Sequence, residues 1–258
     1  MRCVILDALA TVLAGLAAGT LNAVVGSGTL ITFPILMALG LPPVVANMTS
    51  SVGLLGGNLS SVPGYRKAIA QARPLLRLMA PASLLGGIVG SLLLLVLPSE
   101  VFQGVVPALV GLAVALVAIG PWVQRQVAAR RAHDENGSFV PRWVLLVLVF
   151  GTGIYGGYYG AAQGVLLIGL LGVLTTTPLQ VANGLKVVLA LLVNLVGSLV
   201  FICIGFGRID WWHVLLVFVG SAVGGVVGAR IGQRLHPTVL RGVVITVGLI
   251  ALARLLMV

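Results

Sequence analysis

The sequence predicts an all-α, polytopic membrane protein built from two inverted repeats of about five hydrophobic segments each, with short glycine-broken segments. Three observations predict this fold class. Of the 258 residues, 59% are hydrophobic and 8% are charged, whereas about 25% of a soluble domain is charged because its surface faces water. The apolar residues form long runs, and a pattern of glycine, proline and asparagine in the first half recurs in the second.

Ten apolar segments follow one another along the chain. Most approach the ~20 residues that a helix needs to cross a hydrocarbon core of ~30 Å. Two are too short to do so and begin at glycine-containing breaks. In order, the segments lie at 5–25, 27–41 (short), 43–63, 75–97, 101–122, 143–160, 163–176 (short), 178–205, 211–229 and 238–257.

A shift of 136 residues aligns the two halves without gaps over much of their length. The aligned residues include glycine, proline and asparagine, which match by chance less often than apolar residues do in such a sequence. Because the repeat includes the first segment, we expect that segment to be retained and not cleaved as a signal peptide. The matched pairs include Gly28 with Gly164, Pro42 with Pro178, Asn47 with Asn183, and Asn58 with Asn194.

The repeat divides the chain into a first membrane repeat at 1–122, a basic linker at 123–142 and a second membrane repeat at 143–258. Loop 64–74 is basic in the first half, whereas in the second half the arginines lie one loop later, at 230–241. Positive loops stay in the cytoplasm. The swap predicts that the halves insert upside down relative to each other, with these basic loops and the linker cytoplasmic.

Several function classes are disfavoured by the composition. The net charge of +10 is spread over short loops and lacks the basic helix or aromatic signature of a nucleic-acid-binding protein. Cys3 and Cys203 have no metal or redox spacing, and no nucleophile–base constellation or phosphate loop is visible. We therefore expect no enzyme activity, no catalytic residue, no metal and no cofactor.

Lys186 is the most informative polar residue. It follows Pro178 by eight residues within the apolar stretch 178–205, which places it near mid-bilayer. A charge there costs roughly 3 kcal/mol or more. The alternative is snorkelling, in which the four-carbon side chain of Lys186 extends so that its ammonium reaches the membrane–water interface. No carboxylate lies in an apolar interior, because all five acids lie at segment ends or in loops. They are Asp7, Glu100, Asp134, Glu135 and Asp210. The sequence therefore favours an anionic cargo as the partner of Lys186.

Polar side chains at helical spacing extend this candidate site. Asparagines eleven residues apart recur in both halves, and eleven residues complete about three helical turns, so each pair lies on one helix face. Interhelical hydrogen bonding is the alternative role. The candidate substrate-binding side chains are Asn47, Ser50, Ser51 and Asn58 in the first half and Asn183, Lys186 and Asn194 in the second.

The two breaks supply the remaining candidates, Ser27, Gly28 and Thr29 in the first half and Gln163 and Gly164 in the second. A helix that begins inside the membrane leaves free backbone N–H groups and a positive dipole end. Such ends bind anions, and two of them would form a central cradle. The alternative is that the glycines only permit close packing.

The breaks and the residues that follow them form motifs. They read Gly26-Ser27-Gly28-Thr29-Leu30-Ile31-Thr32-Phe33-Pro34, Gly40-Leu41-Pro42 and Ala46-Asn47, then Gly156-Gly157-Tyr158-Tyr159-Gly160, Pro178, Ala182-Asn183 and Gly224-Gly225-Val226-Val227-Gly228-Ala229-Arg230. These motifs resemble the TauE/SafE family of sulfite-exporter-like permeases over nearly the whole chain. The resemblance implies an inner-membrane permease for small anions, often sulfite, sulfonates or related organosulfur compounds.

We therefore expect a secondary transporter in the plasma (inner) membrane that moves a small, sulfur-containing anion. An anion channel and a membrane assembly subunit without cargo are the alternatives. The expected partners are the anion and the lipid bilayer, with no nucleic acid. A homo-oligomer is left open.

Overall fold

Every regular element of the described chain is a helix. The structure is a computed structural model that describes residues 2–133, 141–175 and 177–231, together with residues 242, 245–247, 249, 250, 252 and 253. The all-α prediction is confirmed for this part of the chain. Most of loop 230–241 and of the tenth predicted segment lies outside the described residues.

The helices follow the predicted segments closely. They are α1 (Arg2–Val24), α2 (Thr29–Ala38), α3 (Pro43–Gly53), α4 (Leu55–Ser61), α5 (Arg66–Gln71), α6 (Arg73–Val96), α7 (Ser99–His133), α8 (Arg142–Tyr158), α9 (Gln163–Leu174), α10 (Leu179–Gly205) and α11 (Trp211–Ile231). Short 3-10 helices lie at Val62–Tyr65 and Phe206–Arg208.

Five helices of the described chain are long and apolar enough to cross a membrane. These spans are Ile5–Val24, Arg73–Val96, Ser99–Ile119, Gln180–Arg208 and Trp211–Arg230. They lie in α1, α6, α7, α10 and α11, whereas α2 and α8 are shorter apolar helices. The polytopic prediction is confirmed, since several helices reach the ~20 residues that spanning requires.

Two boundaries differ from the sequence expectation. Helix α7 continues through His133, eleven residues into the predicted linker 123–142, because the arginine, glutamine and alanine of this stretch are good helix formers although they are not apolar. The predicted segment 43–63 is interrupted at Leu54, between α3 and α4. Glycines at 53, 56 and 57 weaken the helix there.

Backbone geometry repeats at the positions that the shift of 136 residues aligns. Pro42 precedes α3 with φ −57° and ψ 148°, and Pro178 precedes α10 with φ −54° and ψ 146°. At the breaks, Gly26 and Ala162 are both left-handed, with φ of 83° and 59°. Such a conformation is uncommon for alanine. The two halves therefore share their turns as well as their residues.

Helix packing is reciprocal between the halves. Helix α1 packs along α11, and α8 packs along α6. A Cβ atom on Gly19 would overlap the backbone of Ser221, and one on Gly153 would come within 2.8 Å of the Ser83 carbonyl oxygen. The first helix of each half thus packs at backbone distance against the fourth segment of the other half, as small residues permit.

The ends of α6, α10 and α11 indicate their relative directions. One cavity is lined by Arg66 and Lys67, which precede α6, by Gln180 at the start of α10, and by Arg230 at the end of α11. Helix α6 therefore begins at the face where its counterpart α11 ends. An inverted repeat requires this arrangement, and inversion across a bilayer stays a prediction.

We expect cysteines at residues 66 and 230 to be labelled from the same, cytoplasmic side. Single-cysteine variants Arg66→Cys and Arg230→Cys would be made after replacing Cys3 and Cys203 with serine. A membrane-impermeant maleimide should label both only after the cells are permeabilised. Control cysteines at Ser99 and Gly207, at the other ends of α6 and α10, should react in intact cells. Labelling of residues 66 and 230 from opposite sides would overturn the inverted topology.

We also expect Gly90→Ala to destabilise the protein by about 1–3 kcal/mol, as overpacking does. A Cβ atom at Gly90 would overlap the carbonyl oxygen of Ile154 on α8. The matched control is Gly104→Ala on α7, because a Cβ atom there meets nothing within 4 Å. Thermal unfolding in detergent should show a lower midpoint for the first variant alone. Equal midpoints would show that the α6–α8 contact is looser than the structure indicates.

Candidate functional site

The two breaks contact each other through their backbones. The Gly164 N–H donates to the Gly26 carbonyl oxygen at 3.1 Å. A Cβ atom on Gly164 would lie 2.6 Å from the Gly26 Cα atom and 3.0 Å from Cδ of Lys186. Lys186 and Gly164, which the sequence singled out on separate grounds, therefore meet the first break at Gly26. Only glycine fits at the centre of this contact.

Lys186 is buried at this junction, with 1% of its surface exposed. Its Nζ atom donates to the carbonyl oxygens of Ala23 at 3.3 Å and Val24 at 3.0 Å. These carbonyls end α1, where intrahelical partners are missing and the helix dipole is negative. The ammonium therefore serves as a C-terminal cap for α1. It does not extend to an interface, as the snorkelling alternative required.

Asn47 caps the other broken helix in the same way. Its Nδ2 atom donates to the carbonyl oxygen of Tyr158, the last residue of α8, at 2.8 Å. Lys186 lies in the second half and caps a helix of the first, whereas Asn47 lies in the first half and caps a helix of the second. The interhelical hydrogen bond that we considered as an alternative for Asn47 is thus present.

Asn58 connects to the first break through a residue that sequence reasoning missed. Its Oδ1 atom accepts a short hydrogen bond from Nδ2 of Asn22 on α1. Oδ1 of Asn22 in turn accepts from the Gly28 N–H at 3.4 Å. The Gly28 N–H, which the sequence offered to an anion, is therefore engaged within the protein. The sequence signal for Asn22 was a polar amide inside an apolar segment. The repeat did not mark it, because the second half has no asparagine at the aligned position.

Ser50, which aligns with Lys186 in the repeat, has a different partner. The hydroxyl oxygens of Ser50 and Thr32 lie 2.5 Å apart and join α3 to α2. Thr32 was not among the predicted site residues. The sequence did contain a signal for Thr32, because its hydroxyl lies three residues after Thr29 and therefore on the same face of a short apolar helix.

Four predicted residues are less connected. Asn183 and Asn194 are half-buried on α10, and Thr29 and Ser51 are buried. The described part of the chain gives none of these four side chains a hydrogen bond. Among the predicted residues, the structure links Lys186, Gly164, Asn58 and Gly28 to the first break, Asn47 to the end of α8 and Ser50 to α2. The four less connected residues have no such link among the described residues.

Several buried polar atoms near the breaks have no hydrogen-bond partner among the described residues. They are the hydroxyls of Ser27 and Tyr159, the Nδ2 atom of Asn58, the Nε2 atom of Gln163 and the Oδ1 atom of Asn47. All but the last can donate a hydrogen bond. An unpaired buried polar group costs about 1–3 kcal/mol. The site is therefore rich in donors that a polar ligand or water would satisfy.

Aromatic rings pack together around Tyr159, just before the second break. Tyr159, which precedes the second break, has 1% of its surface exposed. Its ring meets that of Phe33 edge-on at 5.4 Å, and Phe33 meets Phe102 at 6.5 Å. The sequence did not separate packing from cavity lining for this tyrosine. The structure gives its ring a packing role and leaves its hydroxyl without a partner among the described residues.

We expect Gly164→Ala to disrupt the junction of the breaks. Its methyl group would push against Gly26 and Lys186, so the variant should lose stability by about 1–3 kcal/mol. Gly151→Ala on α8 is the matched control, since a Cβ atom there meets nothing within 4 Å. Thermal unfolding of both variants measures the difference. Wild-type stability of Gly164→Ala would mean that the breaks do not pack as described.

Comparisons with known proteins agree on a transporter. The family model for the sulfite exporter TauE/SafE matches residues 11–255. The probable membrane transporter protein ORF9 of Sinorhizobium sp. is 25% identical over 240 residues, which cover 93% of this chain and 88% of that protein. YfcA of Escherichia coli K12, named a probable membrane transporter protein, is 25% identical over 243 residues, covering 93% and 86%. A Haemophilus influenzae protein named in the same way is 26% identical over 244 residues, covering 93% and 91%. No solved structure matches the chain.

Proposed function

This chain belongs to the sulfite exporter TauE/SafE family and is a multi-pass membrane transporter, and from this premise we propose that it is a secondary transporter of a small anion. The proposed cargo is sulfite, a sulfonate or a related organosulfur anion. The proposed location is the plasma (inner) membrane, because outer-membrane proteins are β-barrels and this chain is helical.

The observation that carries the proposal is the charge of the buried site. Lys186 is the one buried charged side chain among the described residues. Its partners are neutral carbonyls, and the described carboxylates lie elsewhere. Asp7 and Glu100 are exposed, and Asp210 pairs with His213 at the start of α11. A cation entering this site would meet an ammonium and no carboxylate, whereas an anion would find a counter-charge.

The unpaired donors complement the ammonium. Ser27 follows Gly26 in the chain and Gln163 precedes Gly164, and each has a buried donor without a partner among the described residues, as does Tyr159 shortly before the second break. A sulfur oxyanion has several acceptor oxygens, so it suits a site with several donors. Hydrogen bonds between such groups and an ionised oxygen are roughly twice as strong as neutral ones.

Cargo binding would also change how the halves contact each other. An anion bound to Lys186 would compete with the Ala23 and Val24 carbonyls for the ammonium. Exchange of these partners would weaken the link between α10 in the second half and α1 in the first. Transporters with inverted repeats alternate access by movement of one part against another around a central site.

We expect a sulfur oxyanion to stabilise the purified protein against heat in a manner that depends on Lys186. Wild type, Lys186→Ala and Lys186→Met would be tested against sulfite, thiosulfate, sulfate and methanesulfonate at constant ionic strength. Loss of the ammonium should weaken binding by about 2 kcal/mol or more, which is roughly 30-fold. Arg142→Ala removes an exposed cation at the start of α8 and serves as the control.

The ligand-induced shift, not the unfolding midpoint itself, is the quantity to compare, because both Lys186 variants also leave the end of α1 uncapped. A shift in wild type and Arg142→Ala that is absent from the Lys186 variants supports the cargo class and the site. The proposal fails if no anion shifts the midpoint, or if the Lys186 variants respond as wild type does.

A further inference from the structure

A second concentration of positive charge lies outside the buried site. A cavity of about 660 Å³ is lined by Arg66, Lys67, Arg230, Gln180, Ser60 and Tyr65, among others. Two of the cations come from the first half of the chain and one from the second, and all three are exposed. Within the described residues, none of them pairs with a carboxylate. A cleft lined by charges of one sign concentrates ions of the opposite sign.

This cavity adjoins the buried site through one carbonyl group. The hydroxyl of Tyr65, which lines the cavity, donates to the carbonyl oxygen of Ala23 at 2.8 Å. The same oxygen accepts from Nζ of Lys186 at 3.3 Å. The ring of Tyr65 belongs to a small apolar cluster with Val187 and Ala229. Tyr65 therefore separates the basic cavity from Lys186.

Membrane orientation alone does not explain this geometry. The positive-inside rule requires only that basic residues lie in loops on one side. It does not require that Arg66 and Arg230, from opposite halves of the chain, line one concave surface beside a buried lysine. Their convergence on one concave surface favours an occupant of negative charge.

We propose that this basic cavity is a second anion site, which takes small oxyanions such as sulfonates and forms the vestibule of Lys186. Its role as a vestibule rests on the proposed function, whereas anion binding in the cavity does not. Arg66, Lys67 and Arg230 attract the anion, and Tyr65 stands between it and the buried ammonium. The cavity is large enough for the anion to keep part of its water.

Charge-selective labelling tests the cavity without knowledge of the cargo. Gln180→Cys would be made in the background without Cys3 and Cys203, which leaves the three cations in place. The thiolate attacks a methanethiosulfonate reagent, forms a mixed disulfide and releases methanesulfinate. Rates with the sulfonatoethyl reagent and with its trimethylammonium analogue give an anion-to-cation ratio. The matched control is the same cysteine with Arg66→Ala and Arg230→Ala.

The ratio should fall about tenfold in the matched control, the lower end of the range for electrostatic focusing. It should also fall with added salt, because mobile ions screen exposed charges. A ratio unchanged by the loss of Arg66 and Arg230 would overturn the proposal. In the Lys186→Ala background, loss of Arg66 and Arg230 should lower the ratio by a similar factor, so that this result stands apart from the test of the buried site.

Varying the lipid composition distinguishes a free anion from a lipid headgroup as the occupant of the cavity. In nanodiscs of phosphatidylcholine alone, methanesulfonate should protect the cysteine of the Gln180→Cys variant from both reagents when it replaces chloride at equal ionic strength. If phosphatidylglycerol protects this cysteine and methanesulfonate does not, the occupant is a lipid headgroup and the proposal is wrong.

Uptake of radiolabelled sulfite into proteoliposomes tests the link to Lys186. The variant with Arg66→Ala and Arg230→Ala should show a KM raised about tenfold with its maximal rate retained. Lys186→Ala should lose uptake altogether. An unchanged KM in the first variant would refute the vestibule role. If wild type does not take up sulfite, the proposed cargo is wrong for sulfite and the labelling result still decides the cavity.

Discussion

The rest of this structure depends on how two helices end inside the protein. A helix that ends away from water leaves carbonyl groups without partners, and a membrane interior supplies none. Helix α1 ends at Val24 and α8 at Tyr158, each before a break. Lys186 binds the end of the first and Asn47 the end of the second. Each half of the chain thus supplies a cap for the broken helix of the other, so the breaks join the two halves.

The glycine contacts follow from the same requirement. A cap from the opposite half reaches a helix end only if the helices of the two halves lie close together. Close packing of α1 on α11 and of α8 on α6 places both helix ends at the interface between the halves. The contact between Gly26 and Gly164 then brings the two breaks to backbone distance. Small residues are therefore needed both along the helices and at their ends.

The sequence predicted the residues of this arrangement better than their partners. Lys186 and Asn47 stood out because polarity is costly in an apolar segment, and the repeat marked their positions. The partners of both are backbone carbonyls in the opposite half, and one sequence carries no record of tertiary backbone contacts. Asn22 was missed because its aligned position in the second half is Tyr158, so the repeat did not mark it. The apolar segment 101–122 was predicted, whereas the continuation of α7 through His133 was not, because apolar character ends before helical propensity does.

The difference between the two caps bears on function. Asn47 satisfies a carbonyl of α8 with a neutral amide, at 2.8 Å. Capping therefore does not require a charge, and an amide at the end of α1 would avoid the cost of burying an ammonium. At the position that the repeat aligns with Lys186, the first half has Ser50, which bonds to Thr32. The charge thus appears once, beside donors that lack partners among the described residues. We infer that the charge is retained because the site attracts a negative ion, a role for which a neutral amide would not serve.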